Sequence, residues 1–298
     1  MTKNLMKMNR KVRLILLLTA CPCLLVGTYA YLYMRWRHLW SIEPTQTIYK
    51  TPHHQDDSLR IVMIGDSWAD LHSWMKMDSF LQTKLEELIN QPVSVVSKGK
   101  GGEKSRGIYQ LMFQTEGDGT KELFLTGADY CIISAGINDA AANMGTEQYC
   151  AHYRMILDFL ITNRIRPIII EVPDIDIMSI HGKKNKKDLL ADLLRSFMTH
   201  CHMYNYHEYR EALFKMLQEK QYLDQVLFVP MKEWNGNSVE INQDLFLSDR
   251  IHLSKKGYEK LDLSIASAIV QDLQTSQKSA LINKPMDKDT KNRRNYNK

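Results

Sequence analysis

The feature that most restricts the fold of this chain is a series of five short apolar runs separated by longer segments with helical spacing. The runs are continuous and rich in β-branched residues, as in strands of a sheet that is covered on both faces. They are Arg60–Ile64, Val93–Val96, Tyr130–Ser134, Pro167–Val172 and Val226–Val229. Repeated strand–helix alternation predicts a parallel five-stranded sheet between two layers of helices.

The remaining segments of the domain place apolar residues at the spacing of helices. The predicted helices are Ser73–Asn90, Ser105–Gln114, Thr146–Arg164, Lys187–Lys220 and Gly257–Leu273. Together with the strands they define one domain over residues 58–275, which is long enough for a full core. The polar, Asn- and Lys-rich segment 276–298 is predicted to be a disordered basic tail.

The charge of the chain is concentrated at its ends. The 39 Lys and Arg and the 34 Asp and Glu sum to +5, of which residues 1–37 contribute +7 and residues 276–298 contribute +5. Residues 38–275 therefore carry −7. A net acidic domain lacks the electrostatic footprint of a nucleic-acid binder, so we expect no nucleic-acid partner.

Residues 14–34 form a run without any formal charge, about the length that a helix needs to cross a membrane. Five Lys or Arg precede the run and two follow it, which favours a cytoplasmic N-terminus. We predict a cytoplasmic basic segment over 1–13, a transmembrane signal-anchor over 14–34 and a linker over 35–57. The protein would then be a single-pass protein of a bacterial inner (cytoplasmic) membrane, with its domain in the periplasm.

Two other interpretations of this end fit the sequence less well. A cleaved signal peptide would have a shorter apolar region. Leu18 to Cys21 resembles a lipoprotein processing box, in which Cys21 would carry the lipid, but the apolar run continues well beyond it. We therefore favour an uncleaved anchor. Cys150 and Cys201 could pair in an oxidising compartment, and the sequence leaves this open.

Polar clusters follow the predicted strands at the positions where an open α/β sheet forms its ligand crevice. They are Gly65-Asp66-Ser67, the Gly-rich stretch Lys98–Glu103, Gly136–Asp139 and Asp249–His252, the last of them just before the closing helix. Each cluster alone is typical of a turn or a helix cap. Because all four are expected at one edge of the sheet, they predict a common site.

The residue types in these clusters fit acyl transfer. Ser67 supplies a hydroxyl nucleophile, His252 the base that activates it, and Asp249 a carboxylate that orients the imidazole. If residues 249–252 form one helical turn, the side chains of Asp249 and His252 lie on the same face of it. The amides of Ser67 and Gly102 and the side-chain NH₂ of Asn138 are candidate oxyanion donors. This chemistry needs no metal or nucleotide, and we expect no cofactor.

With these four blocks in this order, the sequence resembles the SGNH/GDSL hydrolases over residues 58–274. The resemblance implies a flavodoxin-like three-layer α/β/α fold with strand order 2-1-3-4-5. It also implies ester or O-acyl hydrolysis by the residues named above. Two departures are visible: Trp68 follows the serine where members usually have Leu, and Ser97-Lys98 stands where the second block usually begins with Asn. Gly102 is chosen over Gly99 and Gly101 as the oxyanion glycine.

The sequence thus predicts a membrane-anchored extracytoplasmic serine esterase that acts on O-acyl esters, O-acetyl esters of envelope or capsular carbohydrate in particular. The same residues would serve an O-acyltransferase to a glycan, and a catalytically silent glycan-binding domain is a third hypothesis. The oligomeric state stays open. Trp234 either lines the pocket or packs on the core. The basic side chains of the second block are interpreted as a solvated loop; they are Lys98, Lys100, Lys104 and Arg106.

Overall fold

The computed structural model describes residues 10–41, 48–173, 175, 185–231, 234 and 243–282. Its centre is a five-stranded parallel sheet with the order β2-β1-β3-β4-β5. The strands are β1 (Leu59–Gly65), β2 (Val93–Gly99), β3 (Tyr130–Ser134), β4 (Arg166–Ile170) and β5 (Leu227–Val229). The parallel sheet and the strand order implied by the resemblance are both confirmed.

The central strands are continuous apolar runs because helices cover both of their faces. All five residues of β3 are buried, and β1 is buried at every position except Arg60. β2 differs because it lies at the edge of the sheet. Its side chains alternate between buried and exposed, and Val96 is 43 % exposed. The apolar sequence of β2 predicted that both faces of this strand are covered, and for β2 that prediction is wrong.

Ten helices and one 3₁₀ turn lie within the described residues. The helices are α1 (Arg10–Trp40), α2 (Ser67–Trp74), α3 (Met77–Ile89), α4 (Ser105–Leu111), α5 (Lys121–Leu125), α6 (Ile137–Ala141), α7 (Thr146–Thr162), α8 (Lys186–Thr199), α9 (Tyr206–Leu217) and α10 (Lys255–Ile282); the 3₁₀ turn is Gln243–Leu245. On one face of the sheet α10 packs against α3, and on the other α7 packs against α4 and α9. The result is the predicted arrangement of a sheet between two helical layers.

Two predicted helices are each divided into two. The segment 73–90 is divided at Lys76, which has a φ of 58°, and α2 already begins at Ser67. The segment 187–220 is divided at His200, which has a φ of 55° and ends α8. A residue in the left-handed region stops the helical ladder, and here the change of direction lets each half pack separately. Apolar spacing alone did not reveal either break.

The last helix extends beyond the predicted end of the domain. α10 continues to Ile282, so the first part of the predicted tail 276–298 is helical. The rest of that tail, from residue 283 on, lies outside the described residues, as do residues 1–9 of the predicted cytoplasmic segment.

The N-terminal helix α1 contains the whole of the uncharged run 14–34. Within the part of the chain that the structure describes, no helix meets the length and apolarity required to cross a membrane. The predicted span is therefore not confirmed. At the end of α1, Trp36 is only 8 % exposed and Arg37 forms an ion pair with Glu147 at 3.1 Å.

Part of the predicted linker belongs to the domain. The hydroxyl of Tyr49 donates to the carbonyl of Met112 at 2.7 Å, and the amide of Thr51 donates to Oδ1 of Asn163 at 2.9 Å. Residues 48–57 are thus bound along the domain surface, because polar groups on the domain satisfy their backbone.

Candidate active site

The strand register places three of the four polar clusters at one edge of the sheet. Gly65, the last residue of β1, lies beside Gly99 at the end of β2 and beside Ser134 at the end of β3. The residues that follow these strands therefore emerge together, at the carboxyl end of the sheet.

The candidate nucleophile Ser67 is the first residue of α2. Asp66 caps this helix, and its carboxylate accepts a hydrogen bond from the amide of Trp68 at 3.0 Å. A cap at this position fixes the start of the helix and leaves the first amides directed out of its end. The Gly-Asp-Ser cluster is thus both a helix cap, as its residue types suggested, and the element that presents Ser67.

The three residues predicted to act together are joined by hydrogen bonds. His252 Nε2 lies 2.9 Å from Ser67 Oγ, and His252 Nδ1 lies 2.6 Å from Asp249 Oδ2. The order hydroxyl, imidazole, carboxylate is the arrangement that allows a base to take the hydroxyl proton while the carboxylate stabilises the imidazolium. The structure therefore brings together Ser67, His252 and Asp249.

The loop that carries the last two residues is not the helical turn that their spacing suggested. Phe246 and Leu253 form an antiparallel bridge, and the amide of Leu247 donates to the carbonyl of His252 at 2.7 Å. Arg250, at the tip, has a φ of 58°. These backbone bonds close the loop that carries Asp249 and His252, and α10 begins only after it, at Lys255.

Asp249 stays ionised in this loop although it is partly buried. Burial by itself raises the pKa of its carboxyl, but the hydrogen bond to the His252 ring and those from the amides of His252 and Ile251 outweigh it and lower the pKa. The carboxylate therefore keeps the charge that orients the imidazole.

Trp68 connects the two halves of this arrangement. Its ring is 1 % exposed, and Nε1 donates to the carbonyl of Ile251 at 3.2 Å, next to His252 in the chain. The hydroxyl of Tyr258, on α10, donates to the carbonyl of Trp68 at 2.9 Å. A leucine at position 68, as is usual in the family that the sequence resembles, could not donate the first of these bonds.

The Gly-rich block forms a tight turn after β2. The amide of Glu103 donates to the carbonyl of Lys100 at 3.1 Å, and Gly102 within this turn has a φ of 75°. Gly99 has another role: a Cβ there would lie 2.3 Å from the carbonyl oxygen of Asp66. Gly99 is therefore required by close packing, and Gly102 is favoured by the conformation of the turn. Gly102 is the glycine predicted to face the oxyanion.

Asn138, on α6, lies between the turn and the nucleophile helix. Its Nδ2 donates to the carbonyl of Glu103 at 2.9 Å and to Oδ2 of Asp66 at 3.2 Å. The carboxamide has two N–H groups, so both point to protein acceptors, and an oxyanion would have to share or replace one of them. The contribution of Asn138 and Gly102 to an oxyanion hole stays a prediction.

Buried carboxylates behind the site were missed by the sequence interpretation. Asp139 accepts hydrogen bonds from the amide of Ser105 at 3.0 Å and from its hydroxyl at 2.5 Å. Burial raises the pKa of Asp139 and of Asp66 to about 6, against the opposing effect of these and similar hydrogen bonds. Both residues stand inside the polar clusters, where turn propensity explained them equally well. Only the hydrogen bonds seen in the structure show that Asp139 and Asp66 connect these segments to each other.

Other candidates are placed away from the chemistry. Trp234 is 5 % exposed in the core with Lys260 Nζ over its ring at 4.6 Å, so it packs on the core. In the second block, Lys98 donates to the carbonyl of Gly119 and Lys100 lies 3.5 Å from Glu103. The loop is thus bound to its own domain. Of the histidines outside the site, His181 lies outside the described residues, and His72, His152 and His202 bond to Asp262, Ser105 and Glu208.

Neither a metal site nor a disulfide is formed by the described residues. No group of three or more His, Cys, Asp or Glu side chains there could hold a metal ion. The thiols of Cys150 and Cys201 are buried and free, so the pairing left open by the sequence is not formed.

Comparison with solved structures agrees with this architecture. The lipase/acylhydrolase from Enterococcus faecalis superposes with a TM-score of 0.51 at 14 % identity, over 72 % of this chain and 96 % of that one. An acetyl xylan esterase, AlAXEase, superposes with a TM-score of 0.50 at 15 % identity, over 71 % of this chain and 100 % of that one. At such low identity these likenesses establish the fold.

The family is established by the sequence itself. No curated protein gives a significant match to the chain. The profile of the GDSL-like Lipase/Acylhydrolase family, however, matches residues 63–260, a range that includes all four polar clusters. The chain therefore belongs to the GDSL-like Lipase/Acylhydrolase family and is an ester hydrolase.

Proposed function

We propose that this protein is a serine esterase that removes short O-acyl groups, acetyl in particular, from carbohydrate through Ser67, His252 and Asp249. The observation that carries the proposal is the unbroken chain of hydrogen bonds from Ser67 Oγ through both ring nitrogens of His252 to Asp249 Oδ2. A solvated serine without such a base would be a poor nucleophile near neutral pH.

The reaction is a double displacement. Ser67 Oγ attacks the ester carbonyl carbon while His252 Nε2 takes the hydroxyl proton, which gives a tetrahedral oxyanion. The C–O bond to the alcohol breaks as His252 returns the proton to the leaving oxygen. Water then attacks the acyl-enzyme with His252 as base, and the carboxylic acid leaves as Ser67 Oγ regains a proton. Asp249 stays a carboxylate throughout and stabilises the imidazolium at Nδ1.

The oxyanion would be bound at the start of α2. The amide of Ser67 lies at the N-terminal end of this helix, where backbone N–H groups lack intrahelical partners. The amide of Gly102 would be a second donor, and Asn138 a third if its Nδ2 turns from Glu103 or Asp66 to the substrate. We expect Nδ2 to change its acceptor in this way because the carboxamide already lies between the turn at Gly102 and the start of α2.

The choice of a carbohydrate acetyl ester rests on two supports. One is the likeness in fold to an acetyl xylan esterase, which lends the substrate class to this chain only as a hypothesis. The other is the sequence, which contains no long apolar segment within 58–275 that would serve as a lid over a long acyl chain.

Hydrolysis of activated esters of increasing chain length tests the proposal. We expect kcat/KM to be highest for 4-nitrophenyl acetate, to fall for the butyrate and octanoate, and to be lost in Ser67→Ala. Ser73→Ala is the matched control, because Ser73 is an exposed serine on the same helix. If Ser67→Ala hydrolysed the acetate like the parent, the mechanism would be wrong, and a preference for octanoate would overturn the carbohydrate assignment. Product analysis with an added sugar acceptor separates hydrolysis from acyl transfer.

We also propose that residues 14–34 anchor the protein in the cytoplasmic membrane with the domain outside. The support is the charge asymmetry around the uncharged run. Protease added to intact spheroplasts should degrade the domain. Full protection of the domain, under conditions in which an exported control protein is cut, would reverse the topology.

A further inference from the structure

Helix α8 buries a charged side chain and exposes apolar ones, which is the reverse of the usual arrangement. Its only charged side chain that is fully buried, Asp192, is bound by Arg195 at 2.6 Å and by the hydroxyl of Tyr204. Met198 is also buried, but the other five large apolar side chains of the helix face outward. The exposed fractions are 39 % for Leu189, 58 % for Leu190, 56 % for Leu193, 44 % for Leu194 and 66 % for Phe197. These positions follow the i, i+4 spacing of one helical face, which we call the leucine face.

The leucine face continues onto α1. The rings of Tyr29 and Phe197 meet edge-on with their centroids 5.6 Å apart. Beyond this contact, α1 exposes further large apolar side chains, among them Leu25 at 66 % and Val26 at 67 %. Soluble proteins rarely expose contiguous apolar patches of this extent, so the joined surface indicates an interaction.

A cavity of about 500 Å³ lies between the two helices. Its apolar lining is Leu32, Trp36, Ala191, Leu194 and Met198, and its guanidinium-bearing side chains are Arg35, Arg195 and, from α4, Arg106. Trp36 is 8 % exposed, and its Nε1 is a buried donor that finds no acceptor among the described residues. A buried donor without a partner costs free energy, which a bound acceptor would recover. The cavity thus combines apolar walls with donors for an anion.

The charge around the leucine face is complementary to an anionic surface. Lys186 and Lys187 begin α8 and are exposed, as is Arg35, and Asp188 is the one exposed acid of the helix. The surface is net positive although residues 38–275 together carry −7. A second copy of the chain would bring the same cations against each other, which disfavours self-association through this face. Anionic phospholipid offers both an acyl layer and a phosphate.

We propose that α8 and the adjoining end of α1 form a binding surface for anionic phospholipid, with the leucine face in the acyl layer and the phosphate in the cavity at Arg35 and Trp36. Such a contact requires a helix that lies on the bilayer, and it does not require any segment to cross it. It lies outside the catalytic residues, so it goes beyond ester hydrolysis. Its function would be to fix the orientation of the domain at the membrane surface.

Photo-crosslinking tests this contact directly. The full chain is incorporated into vesicles that contain either phosphatidylglycerol or phosphatidylcholine with a diazirine on the acyl chain. After irradiation, peptide mass spectrometry locates the lipid adducts. We expect adducts on residues 186–199 as well as on 10–40, with a yield on 186–199 about fivefold higher from phosphatidylglycerol, since one basic side chain near an anionic surface contributes about 1 kcal/mol. Adducts on 10–40 alone would overturn the proposal.

Substitutions test whether lipid contact depends on the leucine face itself or on exposed leucines anywhere on the domain. Leu190→Gln with Leu193→Gln should remove adducts from 186–199 and leave those on 10–40. Leu88→Gln with Leu263→Gln is the matched control, because those leucines are 57 % and 50 % exposed on other helices. Arg35→Gln should reduce the preference for phosphatidylglycerol, since Lys186 and Lys187 remain. Hydrolysis of 4-nitrophenyl acetate should be unchanged in all of them, so loss of lipid contact is distinguished from failure of the esterase mechanism. Equal loss of adducts in the control pair would contradict the assignment.

Discussion

The indole Nε1 of Trp68 donates a hydrogen bond to the carbonyl of Ile251 at 3.2 Å and thereby joins the helix that begins at Ser67 to the loop that carries His252. The two residues are 183 positions apart in the chain. Since Ser67 and His252 each stand one position away from this bond, we expect it to help hold the distance between Ser67 Oγ and His252 Nε2. A misplacement of reacting groups by a fraction of an ångström lowers the rate of such a step.

Trp68→Phe should lower kcat about fivefold with little change in KM for 4-nitrophenyl acetate. The phenyl ring keeps most of the packing, but the hydrogen bond is lost, and about 1 kcal/mol of positioning corresponds to that factor. Steady-state kinetics check the split between kcat and KM.

Trp74→Phe is the control for Trp68→Phe, because Trp74 lies on the same helix with 76 % of its side chain exposed. It should leave kcat unchanged. A kcat in Trp68→Phe equal to that of the parent would show that the bond does not hold the His252 loop.

Asp249→Asn should lower kcat by about 10²–10⁴-fold, because an amide opposite His252 Nδ1 favours the wrong tautomer of the ring. The low pKa of Asp249 means that its carboxylate is already ionised at acidic pH, so this residue does not set the acid limb of the rate profile. Kinetics from pH 5 to 9 check both statements. Asp244→Asn is the control, since Asp244 is an exposed acid that pairs with Lys256 near the same loop. A similar loss in both variants would argue against a specific role for Asp249.

The three glycines after β2 should respond differently to alanine. Gly99→Ala should lower the free energy of unfolding by about 1–3 kcal/mol, because its Cβ would meet the carbonyl oxygen of Asp66 at 2.3 Å. Gly102→Ala should cost about 1–2 kcal/mol through its φ of 75°, although the space around it is open. Gly101→Ala meets nothing within 4 Å and is the control. Urea denaturation measures the three, and a neutral Gly99→Ala would contradict the packing that we describe.

Because of the buried His72, the free energy of unfolding should fall as the pH rises into the alkaline range. Its Nδ1 and Nε2 each lie 2.9 Å from a carboxylate oxygen, of Asp78 and Asp262 respectively, which favours a charged ring that donates to both. The hydroxyl of Ser97 also lies 2.9 Å from Nδ1 and donates to Asp78. Burial opposes this charge, but the two carboxylates outweigh it and raise the pKa of His72 to about 9. A raised pKa contributes stability fully below the ordinary value near 6.5, and this contribution is lost as the pH rises through about 9.

Asp262→Asn should therefore lower the free energy of unfolding by about 3 kcal/mol at pH 7.5, since it leaves a buried charge with one partner fewer. We choose pH 7.5 because burial raises the pKa of Asp262 to about 6, so its carboxylate is mostly ionised there while His72 is still charged. Urea denaturation of the parent and the variant at pH 7.5 and pH 9.5 measures the difference, which should shrink at the higher pH. A difference that is the same at both values would show that His72 is not the titrating group. Asp272→Asn, which removes an ion pair with Arg166 near the surface, serves as the comparison.

The sequence alone predicted the strands and grouped the three residues that the structure joins by hydrogen bonds. Runs such as Tyr130–Ser134 reveal themselves because burial on both faces demands continuous β-branched and apolar residues. Ser67, Asp249 and His252 could be grouped because parallel strands bring their carboxyl ends to one edge, whatever the details of the packing. In both cases the information lies in local pattern together with a general rule of topology.

The tertiary structure alone decided how the parts are joined. Nothing in the sequence near Trp68, Asp139 or His72 shows that their partners are Ile251, Ser105 and Asp262. Such bonds form between segments far apart in the chain, and a polar residue in a local pattern fits a turn, a cap or a buried network equally well. The apolar periodicity of α8 is equally ambiguous, since it predicts a helix with one apolar face but not whether that face meets the core. Only packing placed Asp192 inside and the leucines outside, because the buried carboxylate finds its partners in Arg195 and Tyr204.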